Sequence, residues 1–120
     1  MGRPVVHFEI AVKDGKAAHD FYSKLFDWNI DANNPMNYGL VSAEGQGGIG
    51  GGIFEAPDGM PAYLTFYVQV DDLQSYLTRA ESLGGRTIMP PTPIPDVGSF
   101  AMFTDLDGNT VGLFKGEAGG

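Results

Sequence analysis

The chain contains no cysteine, which excludes a disulfide framework, a thiolate metal site and a cysteine nucleophile together. It has no apolar run approaching the roughly 18 residues that a spanning helix needs. Its opening, MGRPVVHFEI, lacks the extended apolar segment of a secretory leader, so a cytoplasmic location is expected. Positive charge is scarce: seven Lys and Arg stand against fifteen Asp and Glu, a formal charge of −8. Nucleic acids and anionic membranes are held through Lys and Arg clusters, so neither is an expected partner. The acidic residues are scattered and read as solvated faces, which bear on solubility and not on fold. None of Ser42, Ser75, Ser82 and Ser99 sits in a nucleophile elbow.

What is present is enough for one folded domain. One hundred and twenty residues with a hydrophobic fraction of 42% bury roughly two-thirds of the unfolded surface. Val5–Val12 reads as a strand interrupted by polar His7 and Glu9. Asp14 then offers an N-cap, followed by Ala18, Phe21, Tyr22 and Leu25 at helical spacing, one apolar stripe assigned to the core. Trp28–Ala32, Tyr38–Ala43 and the glycine-rich Gly48–Phe54 follow as strands, with turns at Asn33-Asn34-Pro35 and Pro57-Asp58-Gly59. The order then repeats. Tyr63–Val70 is a strand, Asp71 and Asp72 are caps, and Leu73, Tyr76, Leu77, Ala80 and Leu83 form a second helical stripe ended by Gly84-Gly85. Arg86–Met89 is a short strand. Pro90–Pro95, with four prolines, is expected to be a loop, because proline cannot donate to a ladder. Ser99–Thr104 and Thr110–Phe114 are strands joined by the hairpin signal Asp105-Leu106-Asp107-Gly108-Asn109.

Each half therefore reads strand, helix, strand, strand, strand. The residues echo each other as well: HFEIAVKD at 7–14 matches TFYVQVDD at 65–72, and Gly52-Ile53-Phe54 matches Gly112-Leu113-Phe114. A repeat of about 58 residues indicates duplication of a supersecondary unit. The expected class is α+β, a single domain over residues 1–120 with modules at about 4–57 and 61–116.

The segment PVVHFEI with the capped helix FYSKLFDW, and the second half from VQVDDLQSYL to DLDGNTVGLFKG, resemble the vicinal-oxygen-chelate proteins, the glyoxalase, bleomycin-resistance and extradiol-dioxygenase group. The resemblance implies two βαβββ modules curling into a cup-shaped half-barrel with helices outside, a small-molecule cleft, often a divalent metal, and commonly a homodimer. Metal-dependent members carry His or Glu on the first and last strand of each module. Transferred one at a time, these positions are His7, Thr65, Gly52 and Gly112, so one ligand of four survives. A zinc or nickel site needs three or more protein ligands. No metal or other cofactor is expected, with zinc or nickel as the alternative. The pattern is similar to a branch related to lactoylglutathione lyase in which glycine commonly occupies the last-strand position.

His7 has two readings: a cleft-facing base or hydrogen-bonding group, and a strand histidine satisfied by backbone. Glu9 shares its face if the strand is regular, and a carboxylate there is costly unless paired. Gly45-Gln46-Gly47-Gly48-Ile49-Gly50 matches G-x-G-x-x-G but is followed by Gly51 to Pro57, which cannot start the helix a dinucleotide site requires. Its expected use is to leave room in the cup. Asp105-Leu106-Asp107-Gly108 lacks the glutamate and glycine placement of an EF-hand and reads as a turn.

The leading expectation is a domain that binds a small, largely apolar or aromatic molecule without metal, for sequestration, resistance or sensing. His7, Glu9, Thr65 and Tyr67 would supply polar contacts, and Phe100, Met102 and Phe114 would be walls. The alternative is an isomerase, epimerase or lyase that abstracts a proton next to a carbonyl, metal-assisted or with His7 and Glu9 as the catalytic pair. A third possibility is a domain serving mainly homodimeric assembly.

Overall fold

A computed structural model describes residues 2–34, 37–42 and 47–116. Its elements run in the order β1 (Val5–Val12), α1 (Gly15–Phe26), β2 (Ile30–Asp31), β3 (Gly39–Val41), β4 (Gly51–Glu55), β5 (Tyr63–Gln69), α2 (Leu73–Ser82), β6 (Arg86–Ile94), β7 (Gly98–Thr104) and β8 (Thr110–Gly116). The α+β class and the twofold βαβββ order are both present. Pro35 of the first expected turn, Ala43 of the third strand, and Gly45 and Gln46 of the glycine run lie outside the described residues.

By contact, the chain divides into one unit of His7–Thr65 and another of Met1–Val6 with Phe66–Gly120. In the first, the strand order is β2-β3-β4-β1. β1 runs parallel to β4 in a register that sets Glu9 opposite Gly52 and Ile10 opposite Ile53. α1 starts where the Asp14 carboxylate accepts the Ala17 N–H at 3.1 Å and stops at Asp27, in the left-handed region at φ 58°, a conformation Asp tolerates better than most residues. Its inner face places Ala18 and Tyr22 on Ile10, Val41 and Ile53, with Phe8, Trp28 and Ile30 completing the cluster.

Phe21 and Leu25, expected in that core, are 59% and 58% exposed. The sheet takes the Ala18–Tyr22 row, and Tyr22 stacks on Trp28 with centroids 5.6 Å apart. The 21/25 row, about 60° round the helix, is left in solvent.

In the second unit the order is β5-β8-β7-β6. β5 and β8 are parallel with Tyr67 opposite Gly112, the counterpart of Glu9 opposite Gly52. The Asp72 carboxylate caps α2 by accepting the Ser75 N–H at 3.0 Å. The helix ends in a Schellman arrangement: Gly84 at φ +105°, its N–H on the Glu81 carbonyl, and the Gly85 N–H on the Ala80 carbonyl. Leu73 and Leu77 enter a core with Val70, Ala101 and Leu113. Leu83, the last residue of the expected stripe, is the C-cap itself and is 73% exposed. The first segment of the chain belongs here too, since the Pro4 carbonyl accepts the Gln69 N–H at 2.9 Å.

Pro90, Pro91 and Pro93, expected in a loop, lie within β6. β6 stands at the end of the strand order and, among the described residues, pairs only with β7, with register shifts from Thr87 to Met89 and from Met89 to Thr92. An edge strand turns half its N–H groups away from its neighbour, and a bulge releases others. Those are the positions where proline costs no ladder bond. Pro95 falls in the turn before β7. The β7–β8 hairpin is held by Asp105, whose carboxylate accepts the N–H groups of Asp107 and Asn109 and the Asn109 side-chain amide. Those bonds, led by Asn109, keep its carboxyl below the usual range. The resemblance to an EF-hand loop is therefore turn chemistry.

Candidate functional site

In the first unit, alternation along β1 gives Phe8, Ile10 and Val12 to the core under α1 and turns His7 and Glu9 to the opposite face. There they meet two tyrosines. The Tyr38 hydroxyl donates to Glu9 Oε2 at 2.9 Å and lies 3.0 Å from His7 Nε2. The Tyr63 hydroxyl donates to Glu9 Oε1 at 2.8 Å. Glu9 is only 8% exposed, and burial of a carboxylate is tolerated here because both oxygens accept hydrogen bonds. His7, Tyr38 and Tyr63 are half-buried. Phe54 packs between the phenols, stacked on Tyr38 at 5.6 Å and edge-on to Tyr63 at 6.2 Å.

The tautomer of His7 follows from this geometry. The Tyr38 proton goes to Glu9, so the His7–Tyr38 bond is met by a proton on His7 Nε2. Burial pulls the His7 pKa below its usual value, against the partial opposition of Glu9, which favours the neutral ring. Burial first, and then Glu9, hold the Tyr63 proton well above the ordinary phenol range.

In the second unit, Ala101, Leu113 and Phe103 face α2, so Phe100, Met102 and Phe114 turn the other way. Phe100 pairs with Phe114 and Met102 with Gly112, and Tyr67 meets Phe100 edge-on at 6.4 Å. Met102 and Tyr67 are buried, as is Thr65, the last residue of the first unit. By contact division, His7, Glu9 and Thr65 belong to one unit and Tyr67, Phe100, Met102 and Phe114 to the other.

Tyr38 and Tyr63, which complete the polar cluster, were not singled out from the sequence. Tyr63 had a signal, standing two residues before Thr65 and therefore on the same face of β5. Tyr38 had none, since its partner Glu9 lies 29 residues away.

In the glycine run expected to leave room, a Cβ on Gly47 would meet nothing within 4 Å, whereas Gly51 and Gly52 beyond it, and Gly112, are packed. A Cβ on Gly52 would overlap Cε1, Cζ and the hydroxyl of Tyr38, one on Gly51 would overlap the Phe8 ring, and one on Gly112 would overlap the Tyr67 ring. These positions do not leave room; aromatic rings already fill them. A separate open depression of about 520 Å³, lined by Asp14, His19, Asp20, Ser23 and Ile30 among others, contains none of the cluster.

Residues 5–113 match the Glyoxalase/Bleomycin resistance protein/Dioxygenase superfamily. The chain belongs to that superfamily. Among superfamily relatives, "Putative glyoxylase CFP32" of Mycobacterium tuberculosis is 32% identical over 114 residues, covering 89% of this chain and 43% of that protein. The "Anthracycline biosynthesis protein DnrV" of Streptomyces peucetius is 27% identical over 124 residues, covering 90% and 45%. The chain spans less than half the length of either. Methylmalonyl-CoA epimerase from Mycobacterium tuberculosis shares the fold, with a TM-score of 0.67 at 16% identity over 94% of this chain and 87% of that one.

The superfamily's usual divalent metal does not fit these residues. Of its four ligand positions, Gly52 and Gly112 carry no donor and their side-chain space is taken by Tyr38 and Tyr67. Among the described residues, no group of three His, Cys, Asp or Glu could hold an ion. No helix among them is long and apolar enough to cross a membrane.

Proposed function

We propose that residues 1–120 act as one domain that binds a small, largely apolar or aromatic molecule without metal, in sequestration, resistance or sensing, with His7, Glu9, Tyr38 and Tyr63 as the polar contacts. The observation that carries this reading is the Glu9 carboxylate fixed between two phenols and lined by aromatic rings. Small-molecule sites combine apolar walls with a few placed polar groups in this way. In the second half, Tyr67, Phe100, Met102 and Phe114 are the wall residues of the proposal, with Thr65 as a further polar contact. The name of the relative DnrV, which refers to anthracycline biosynthesis, supports a planar aromatic ligand. A cytoplasmic homodimer belongs to the same reading. Leu64 and Phe66, 71% and 42% exposed on one face of β5, support the association.

The test is thermal unfolding with a panel of planar aromatics that includes an anthracycline. A ligand at about 100 times its Kd adds roughly 2.7 kcal/mol, a rise of several degrees in Tm for a chain of this size. No rise with any member of the panel, up to its solubility limit, refutes the reading.

One observation favours the second reading, an isomerase, epimerase or lyase acting next to a carbonyl. His7 lies 3.0 Å from the Tyr38 hydroxyl that donates to Glu9, so its imidazole is oriented through Tyr38 by Glu9 for acid–base work next to a carbonyl. Exchange of an α-proton for deuterium, followed by NMR and abolished by His7→Ala, would establish it.

A further inference from the structure

We infer that Arg3, Tyr76 and Arg79 form a second binding site, one that takes a phosphate group. The site lies within the unit of Met1–Val6 with Phe66–Gly120 and does not depend on the ligand proposed above. Tyr76 and Arg79 stand at i and i+3 on one face of α2. The start of the chain, held by the bond from the Gln69 N–H to the Pro4 carbonyl, brings Arg3 to them. The Arg3 Nε–H donates to the Tyr76 hydroxyl oxygen at 2.8 Å. Both guanidinium groups approach the Tyr76 ring, Arg3 at 5.8 Å and Arg79 at 5.4 Å from its centroid. Two of the chain's three arginines thus share one phenol, in a sequence of formal charge −8.

These three groups have donors to spare. Among the described residues, Arg79 has no carboxylate within 4 Å and no hydrogen-bond partner for its guanidinium. Arg3 meets one carboxylate, Asp71, at 3.9 Å, with the two side chains 49% and 76% exposed, a contact that contributes little against solvent. The Tyr76 oxygen accepts from Arg3, and its own O–H finds no protein acceptor among the described residues. Guanidinium groups carry donors alone, and their planar forks match the oxygens of a phosphate. Stacking against Tyr76 holds both forks near one place, so less side-chain freedom is lost when an anion arrives. Three donor groups suit the three terminal oxygens of a phosphate better than the two of a carboxylate. The net charge of the chain repels anions elsewhere on the surface, so a phosphate that stays is held by these side chains.

Inorganic phosphate and phenyl phosphate, each titrated into the full chain at constant ionic strength, test this through the NMR signals of the arginine Nε–H groups. The expected result is saturating shifts at Arg3 and Arg79, with Arg86 unmoved, and a Kd on the order of 1 mM. Arg79→Gln raises that Kd about tenfold or more and Tyr76→Phe raises it about threefold, the losses of a charged and a neutral hydrogen bond. Asp71→Asn, which frees Arg3 from its carboxylate, lowers it. Far-UV circular dichroism checks that each variant is folded; if Tyr76→Phe is not, Arg79→Gln decides alone, because Arg79 is exposed. Tighter binding of phenyl phosphate than of inorganic phosphate assigns the site to an organic phosphate ester, and the reverse assigns it to the free ion. The proposal is overturned by shifts that do not saturate, by shifts of equal size at Arg86, or by a Kd that Arg79→Gln leaves unchanged.

Discussion

Replacing Gly52 by alanine tests the packing on which the site depends. In an ordinary strand this change is favourable by roughly 0.5–1 kcal/mol, because alanine has less freedom to lose on folding. Here the new Cβ falls on the Tyr38 ring, and the ring must leave. Its departure breaks a charge-assisted bond to Glu9 and a neutral one to His7, together worth about 2–4 kcal/mol, and any residual crowding adds to that. Set against the intrinsic gain of alanine, the net cost is about 1–3.5 kcal/mol, a fall of roughly 0.5–2 M in the urea midpoint. Gly116→Ala is the control, since a Cβ there meets nothing within 4 Å. The decisive comparison is the same change in a Tyr38→Ala background, where the cost should vanish and the intrinsic gain of alanine should return. Such coupling between contacting residues is what a double-mutant cycle measures. If Gly52→Ala costs the same in both backgrounds, Tyr38 is not what occupies the space above Gly52, and the explanation for the missing carboxylate fails.

Two other outcomes follow from the same structure. His7 has a pKa below its unfolded value of 6.5, so the unfolded chain binds the proton more readily. Stability should fall as pH drops through 6.5 toward the folded pKa and then level off, and His7→Asn should remove that segment of a urea-midpoint profile; an unchanged profile would contradict the assignment. Leu77, 1% exposed, and Phe21, 59% exposed, should behave oppositely. Leu77→Ala costs about 2–5 kcal/mol and Phe21→Ser stays within about 0.5 kcal/mol in denaturant unfolding, and similar costs for both would mean that α1 presents a different face to its sheet.

The element order was legible because periodicity and punctuation are local. Val5–Val12 carries its alternation within itself, Asp14 and Asp72 cap the helices they precede, and DLDGN closes its own turn. What failed to show was whatever depends on a distant partner. The stripe on α1 is apolar across two rows, and only the position of Tyr22 against Trp28 decides which row is buried. The prolines of β6 argue against a strand until its place at the end of the strand order is known. The site was half legible. His7 and Glu9 stand out as polar residues in an apolar strand, and the register of β1 confirms their shared face. Tyr38 and Tyr63 come from 29 and 54 residues away along the chain. A glycine in sequence looks the same whether the space beside it is empty or filled by a ring.

The central claim is that His7, Tyr38, Glu9 and Tyr63 form a polar site that works without a metal. Metal content of freshly purified protein, followed by calorimetric titration with Ni²⁺, Zn²⁺ and Mn²⁺, tests it most directly. The account predicts bound metal far below one equivalent and no binding heat. Near-stoichiometric metal that is lost in His7→Ala would contradict it and make a metal-dependent glyoxalase-like reaction the better reading.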